Sequence, residues 1–410
     1  MSNSFVRSVS LVFTGSLIAQ LIPVVGTLVL ARIFDPASFG AFAAWLGAVL
    51  FLGVVLTCRF ETSLAIEADG SARRSAVVLI LTTIVLMSFA AVVIVAFAAL
   101  AGLDVFTWLP VTLLVVAVPA AALVAVTQTL QNWAAADGRY RHLTIMRIAQ
   151  ATSIVLLQIV IGLVWADAVG LGLGYLLGTC FGLVVGIVLM PLKKTEFSGL
   201  KAVLLVYWKR HRRFPTYSLP ADAINAAAAQ LPVLVVATRF GAESAGLLAM
   251  AMRMLGAPMS LLAASVLDVF KRHAGKAYRE RGECKVEYLH AFRMLVGVAA
   301  VAGLAIGLGV EPVFALVFGE AWLGAGTMSL WLLPRFVIGF IASPLSYMIY
   351  IAGMQHLDLI WQTALLCMTL ATLFLVDSIQ LALISYGLGY GALYVIYLHM
   401  SYKFSLGCIR

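Results

Sequence analysis

The sequence predicts an all-α polytopic membrane protein with about twelve transmembrane helices, and three observations lead there. Hydrophobic residues make up 63% of the 410 residues and charged residues 11%, with a mean hydropathy of +1.05; an ordinary soluble domain carries about 25% charged residues. Apolar runs of about 20 residues recur along the whole chain, each long enough to cross a hydrocarbon layer ~30 Å thick. Cations gather in alternate connections between those runs, as they do in proteins oriented by a membrane.

The first run follows Arg7 and extends to about Ala31. It is too long for the apolar part of a cleaved signal, so it reads as a first span that is retained. Further runs lie at about 39–58, 75–101, 108–131, 143–165, 169–191, 217–239, 244–267, 287–309, 325–352, 357–376 and 379–401. The longest connections, near 192–216 and 268–286, are both basic, and none is long enough to fold as a separate soluble domain. One set of loops holds Arg7, Arg59, Arg73, Arg74, Arg139, Arg141, the clusters at 193–213 and 271–285, Lys403 and Arg410. The opposite set has only Arg32 and Arg239 as cations, alongside Asp35, Asp104, Asp167, Glu243, Glu311, Glu320 and Asp377. The positive-inside rule then places both termini in the cytoplasm. The net charge of +9 reads as a membrane-surface feature facing anionic headgroups, and no nucleic-acid partner is expected.

A short repeat divides the chain. ARIFDPASFG at 31–40 and TRFGAESAG at 238–246 occupy equivalent turns, pairing Arg32 with Arg239, Phe34 with Phe240 and Gly40 with Gly246. Six spans separate them, so two halves, 1–205 and 206–410, are expected to run the same way through the membrane with a substrate path between two six-helix lobes. In the sixth run, glycines at 170, 174, 178, 182 and 186 share one helix face. Four-residue spacing of this kind predicts close backbone packing within the first lobe, or a hinge.

The motifs of several enzyme classes are missing. There is no GxxxxGK[ST], no HExxH, no GxSxG and no CxxC, and the five cysteines and six histidines show no metal-ligand spacing. No enzyme, metal or organic cofactor is expected. What remains are polar groups within apolar runs, which are functional candidates by default. Arg253 and Arg335 each cost roughly 2.5–3.5 kcal/mol at bilayer depth on insertion scales. They read either as cavity-lining cations or as partners of a buried acid or of carbonyls freed near Pro258 and Pro334. Asp222 reads as a first-turn acid favoured by the helix dipole, or as a proton or cation site on a small, polar face shared with Ser218, Asn225 and Gln230. Thr14, Ser16 and Gln20 give the first helix a thinner counterpart.

RFETSLAI at 59–66, the block from Arg212 to Phe270 and the block from Phe314 to Gln355 together resemble the bacterial polysaccharide transporters. These are the O-antigen and lipid-linked oligosaccharide flippases, relatives of the MATE-type exporters. The resemblance spans nearly the whole chain. It implies a MATE-like fold with a central cavity lined chiefly by helices one, two, seven and eight, alternating access without ATP, and the bacterial inner membrane as location. The implied substrate is a sugar chain on undecaprenyl pyrophosphate. A polysaccharide polymerase and other assembly proteins are the implied partners. Asp222, Asn225, Gln230 and Arg253 would border the cavity, with a weaker carry-over for Arg335, and Arg59 and Glu61 carry the family motif. Phe60 stands where the family often has tyrosine, which leaves the role of Glu61 open.

Overall fold

A computed structural model describes residues 3–100, 109–192 and 207–407, with side chains described except at 3–13, 16, 98–100, 221, 261, 264, 265, 268 and 355. Asp104, Arg410 and the 193–206 part of the basic cluster, which includes the expected 205/206 boundary, lie outside the described residues, as does the Arg7 side chain. Among the described residues the chain is helical and has no strand. Helices α1 (Asn3–Ile33), α2 (Pro36–Leu56), α3 (Ser71–Leu100), α4 (Val111–Ala136), α5 (Tyr140–Gly162) and α6 (Ala168–Leu189) come first. The helical stretch Leu219–Arg281 is interrupted by Gly241 at φ 90°, ψ 165°, which divides it into α7 (219–240) and α8 (242–281). Then follow α9 (Lys285–Phe318), α10 (Leu323–Trp331), α11 (Leu333–Leu345), α12 (Met348–Ile351), α13 (Gln355–Leu375) and α14 (Ile379–Ser405).

Ten helices among the described residues are long and apolar enough to cross a membrane. The segment Phe214–Ser260 counts once in that number, but the break at Gly241 makes it two. The apolar part of α1, Leu17–Ile33, is a further, shorter candidate. With these two the expected twelve are accounted for. Large apolar side chains face outward, Phe89 at 72% and Leu308 at 78% exposure, as suits a lipid-facing surface.

Local chemistry sets the helix ends. The Asp35 side chain caps α2 by accepting from Ser38 N at 2.7 Å, with Pro36 in the first turn; this satisfies a backbone donor the helix cannot satisfy itself. Asp167 does the same for α6 through Gly170 N at 2.8 Å. Two expectations are corrected. The run at 325–352 is not one helix but α10, α11 and α12, broken around Leu332 and between Leu345 and Met348. Pro334 and Pro344 remove backbone donors there. The stretch at 268–286 is not mainly loop, because α8 continues to Arg281. Its charged residues are good helix formers, and Lys276 reaches Glu280 at 3.9 Å one turn on.

The described chain forms two compact units, Met1–Gly246 and Leu247–Arg410. This contact boundary falls within α8, about forty residues beyond the boundary of chain symmetry expected at 205/206. In the first unit α5 and α6 pack on the glycine face. A Cβ at Gly174 would lie 2.6 Å from Gln158 Cα, and one at Gly182 2.8 Å from Gln150 Cβ. Close packing is therefore what the stripe provides. Trp45 of α2, almost wholly buried, donates to Leu113 O at the start of α4 at 2.7 Å. In the second unit Phe270, Tyr288, Leu295, Phe340, Leu345 and Met348 form a core joining α8, α9, α11 and α12. The Tyr288 hydroxyl donates to Leu398 O of α14 at 3.0 Å.

Candidate functional site

In the first unit the site begins at the turn after α2. Cys58 and Arg59 stand at φ 48° and 60°, a left-handed pair of non-glycine residues. Such backbone is uncommon and costs of order 1–3 kcal/mol per residue, so its surroundings must hold it. Arg59 donates through Nη1 to Glu61 Oε1 at 2.8 Å and through Nε to Asp222 Oδ2 at 2.6 Å. The Glu61 side chain is 1% exposed, Arg59 25% and Asp222 38%. Glu61 Oε2 is buried without a hydrogen-bond partner. One guanidinium thus serves two carboxylates, leaving a formal charge of about −1 on the group by counting ionised side chains. Burial, reinforced by nearby Glu61, pushes the Cys58 thiol up to about 11.

The segment behind this group is clamped. The Phe60 ring sits 5.5 Å from Tyr207 and 5.1 Å from Trp208. The Tyr207 and Ser63 hydroxyls lie 2.5 Å apart, and Trp208 Nε1 donates to Thr83 at 3.2 Å. His211 Nε2 approaches Glu67 Oε1 to 2.6 Å, an ion-pair distance without an aligned hydrogen bond. Arg73 donates to Leu64 O, Glu67 O and Asp137, tying the turn to the end of α4. The basic cluster before α7 is therefore of two kinds: His211 is buried with the aromatic group, whereas Lys209, Arg210, Arg212 and Arg213 are exposed.

Asp222 occupies the first turn of α7, so the dipole position and the ion pair coexist. Further along α7, Asn225 is exposed, while Gln230 is partly buried against α2. A Cβ at Gly47 would meet Gln230 Oε1 at 3.1 Å. Gln20 is exposed on α1. The structure thus joins Asp222 directly to the motif residues Arg59 and Glu61 and sets Gln230 on α2; the contacts of Asn225 and Gln20 add nothing to that group. Beyond Gln230 the two repeat glycines meet. A Cβ at Gly246 would lie 2.9 Å from Gly40 N and closer still to Pro36 O, and one at Gly40 would overlap the Ala242 carbonyl.

In the second unit, Arg253 on α8 is partly buried and engaged with a neighbour. Arg335, in the first turn of α11, has its guanidinium carbon 5.2 Å from the Phe336 ring centroid, 5.1 Å from Tyr386 and 4.7 Å from Tyr390. Tyr386, Tyr390 and Tyr394 form a ladder along α14, with successive centroids 5.5 and 5.0 Å apart. Arg335 lines a cavity of about 170 Å³ with Gly256, Ser260, Gly339, Ser343 and Tyr390. Sequence reasoning misses this ladder; its signal is three tyrosines spaced by four in SYGLGYGALY.

Apolar helices long enough to cross a membrane define a polytopic helical membrane protein, and the fold is shared with known proteins. The inward-facing conformation of a multidrug resistance MATE family transporter of the MOP superfamily matches at a TM-score of 0.70 and 13% identity, over 93% of each chain. The lipid II flippase MurJ in an inward closed conformation matches at 0.74 and 13% identity, over 96% of this chain and 87% of that one. A MOP superfamily transporter from Pyrococcus furiosus, whose structure was described as having a binding pocket of reverse polarity, matches at 0.55 and 14%, over 96% and 94%. No curated protein matches significantly. A family model described as polysaccharide biosynthesis protein matches residues 5–270, about two thirds of the chain, and the chain belongs to that family.

Proposed function

We propose that this protein is a flippase that moves an undecaprenyl-pyrophosphate-linked oligosaccharide from the cytoplasmic to the periplasmic leaflet of the bacterial inner membrane. The cargo is the repeat unit of an O-antigen, capsule or exopolysaccharide. Transport proceeds by alternating access of two six-helix lobes, 1–205 and 206–410, around a central cavity, without ATP and without enzymatic chemistry. Both termini lie in the cytoplasm, and a polysaccharide polymerase receives the product.

The observation that carries this reading is a pair of arginines, Arg253 and Arg335, within helical segments long and apolar enough to cross a membrane, in a chain of the polysaccharide biosynthesis family. An anionic headgroup loses its hydration on leaving water, and arginine can replace it with two parallel donated hydrogen bonds. An inside-negative potential contributes about 2.3 kcal/mol per charge per 100 mV to outward movement of an anion. Arg253, Arg335, Asn225, Gln230 and Gln20 border the path. The surplus negative charge shared by Asp222 and Glu61 around Arg59 is the place for a coupling proton or cation.

The test is complementation of a flippase-deficient host, scored by surface polysaccharide at matched protein levels. Arg253→Ala should abolish it and Arg253→Lys should restore part. Full function of the alanine variant removes Arg253 from the mechanism. Rescue of a host lacking its peptidoglycan-precursor flippase, or drug efflux, would replace the proposed cargo.

A further inference from the structure

The surroundings of Arg335 differ from those of Arg59 in one decisive respect. Among the described residues no carboxylate lies within ion-pair distance of Arg335, and its Nη1 is buried without a hydrogen-bond acceptor. Three aromatic rings hold the guanidinium instead. Cation–π contact is worth about 0.5–2 kcal/mol. It stabilises the charge without neutralising it; the Tyr390 hydroxyl is within hydrogen-bonding reach of the guanidinium, and Nη1 is the donor left without an acceptor. A carboxylate would have supplied that stabilisation and erased the attraction for a ligand. Here the full positive charge survives beside a cavity.

The cavity suits a small polar occupant. Its ~170 Å³ holds roughly five or six waters at ~30 Å³ each, room for one phosphate or carboxylate group but not for an oligosaccharide. Hydroxyls come from Ser260 and Ser343, and glycine at 256 and 339 keeps side chains off the wall. At Gly256 the space is open: a Cβ there would meet only Phe336, at 3.6 Å. Gly339 is tight, its Cβ position 3.0 Å from the Tyr394 ring, so α11 and the ladder are held in register.

We infer that Arg335, with the Tyr386–Tyr390–Tyr394 ladder as its positioning scaffold, forms an oxyanion subsite in the second unit that takes the phosphate of a lipid pyrophosphate or the carboxylate of an acidic sugar. The site's existence is independent of the transport reading above; only the source of the oxyanion rests on it.

The experiment uses the full chain in nanodiscs and follows thermal unfolding against sodium pyrophosphate, sodium glucuronate and sodium chloride at matched ionic strength. The wild type should show a saturable rise in Tm with pyrophosphate, glucuronate or both, and none with chloride. Response to pyrophosphate alone assigns the lipid head, and response to glucuronate alone assigns the sugar. Arg335→Lys should need about tenfold more ligand, since it keeps the charge but loses the fork. Arg335→Gln should lose the response. So should Gly256→Val, which fills the cavity and leaves the charge in place, and therefore guards against a folding defect in the glutamine variant. An unchanged response in Arg335→Gln or Gly256→Val, or no response of the wild type to either oxyanion, overturns the proposal. Because binding is read without transport, a negative result here with intact complementation separates failure of the subsite from failure of the flippase reading.

Discussion

The two ends of α2 meet the α7–α8 segment by opposite means. At its start, Pro36 and Gly40 touch Ala242 and Gly246 backbone to backbone. Just past its end, Arg59 reaches Asp222 through a charged hydrogen bond. The glycine seam draws on close atomic contact, which needs exact fit and ignores salt. The ionic contact tolerates small displacements, is partly exposed, and weakens as salt rises. The same helix is thus fixed by shape at one end and held by charge at the other. Of the two contacts, the charged one is the one that added salt would weaken.

Variants should separate the ends in a fixed order. Gly246→Val or Gly40→Val carries the largest expected loss, about 3 kcal/mol or more, because the obstacle is backbone that cannot rotate away. The readout is Tm and the yield of monodisperse protein. Arg59→Ala comes next, at about 2–3 kcal/mol, since it leaves Glu61 buried and unpaired; Arg59 is itself a quarter exposed, which holds the value below that of a fully buried pair. Adding Glu61→Gln to that variant should recover most of the loss. A third readout is chemical. With its thiol raised from 9.0 to about 11, Cys58 carries roughly a hundredfold less thiolate at pH 8 than an ordinary cysteine. Alkylation there should be slow in the wild type, no faster in Arg59→Ala, where Glu61 is left to oppose the thiolate, and faster in Glu61→Gln, which removes that charge. Asp222→Asn should cost least, about 0–1 kcal/mol, because Asp222 is more than a third exposed. Its difference from wild type should vanish near 1 M salt, where the Debye length falls to ~3 Å, while that of Gly246→Val persists. Equal salt sensitivity of the two variants would break the comparison.

How far all this could be read in advance depended on the distance over which each cause acts. Apolar runs, the Asp35–Pro36 and Asp167 caps and the glycine face of α6 are written within one helix or turn, and the helices follow them. The pairing of Gly40 with Gly246 was legible as symmetry, but not as contact. The link from Arg59 to Asp222 spans 163 residues, and nothing local in RFE or PADAIN states it. The tyrosine ladder was visible as spacing but is indistinguishable from core aromatics until Arg335 is seen among the rings. The breaks that make α10, α11 and α12 were signalled by Pro334 and Pro344, yet uniform hydrophobicity across 325–352 concealed them.

Gly241 gives the chain a corner. With φ at 90° and ψ at 165°, it occupies backbone space that is essentially glycine's alone. That corner sets the direction in which α8 leaves α7, and it brings Ala242 and Gly246 against Gly40 and Pro36. A methyl group at this position would meet no neighbouring atom, yet the backbone angles alone would resist it.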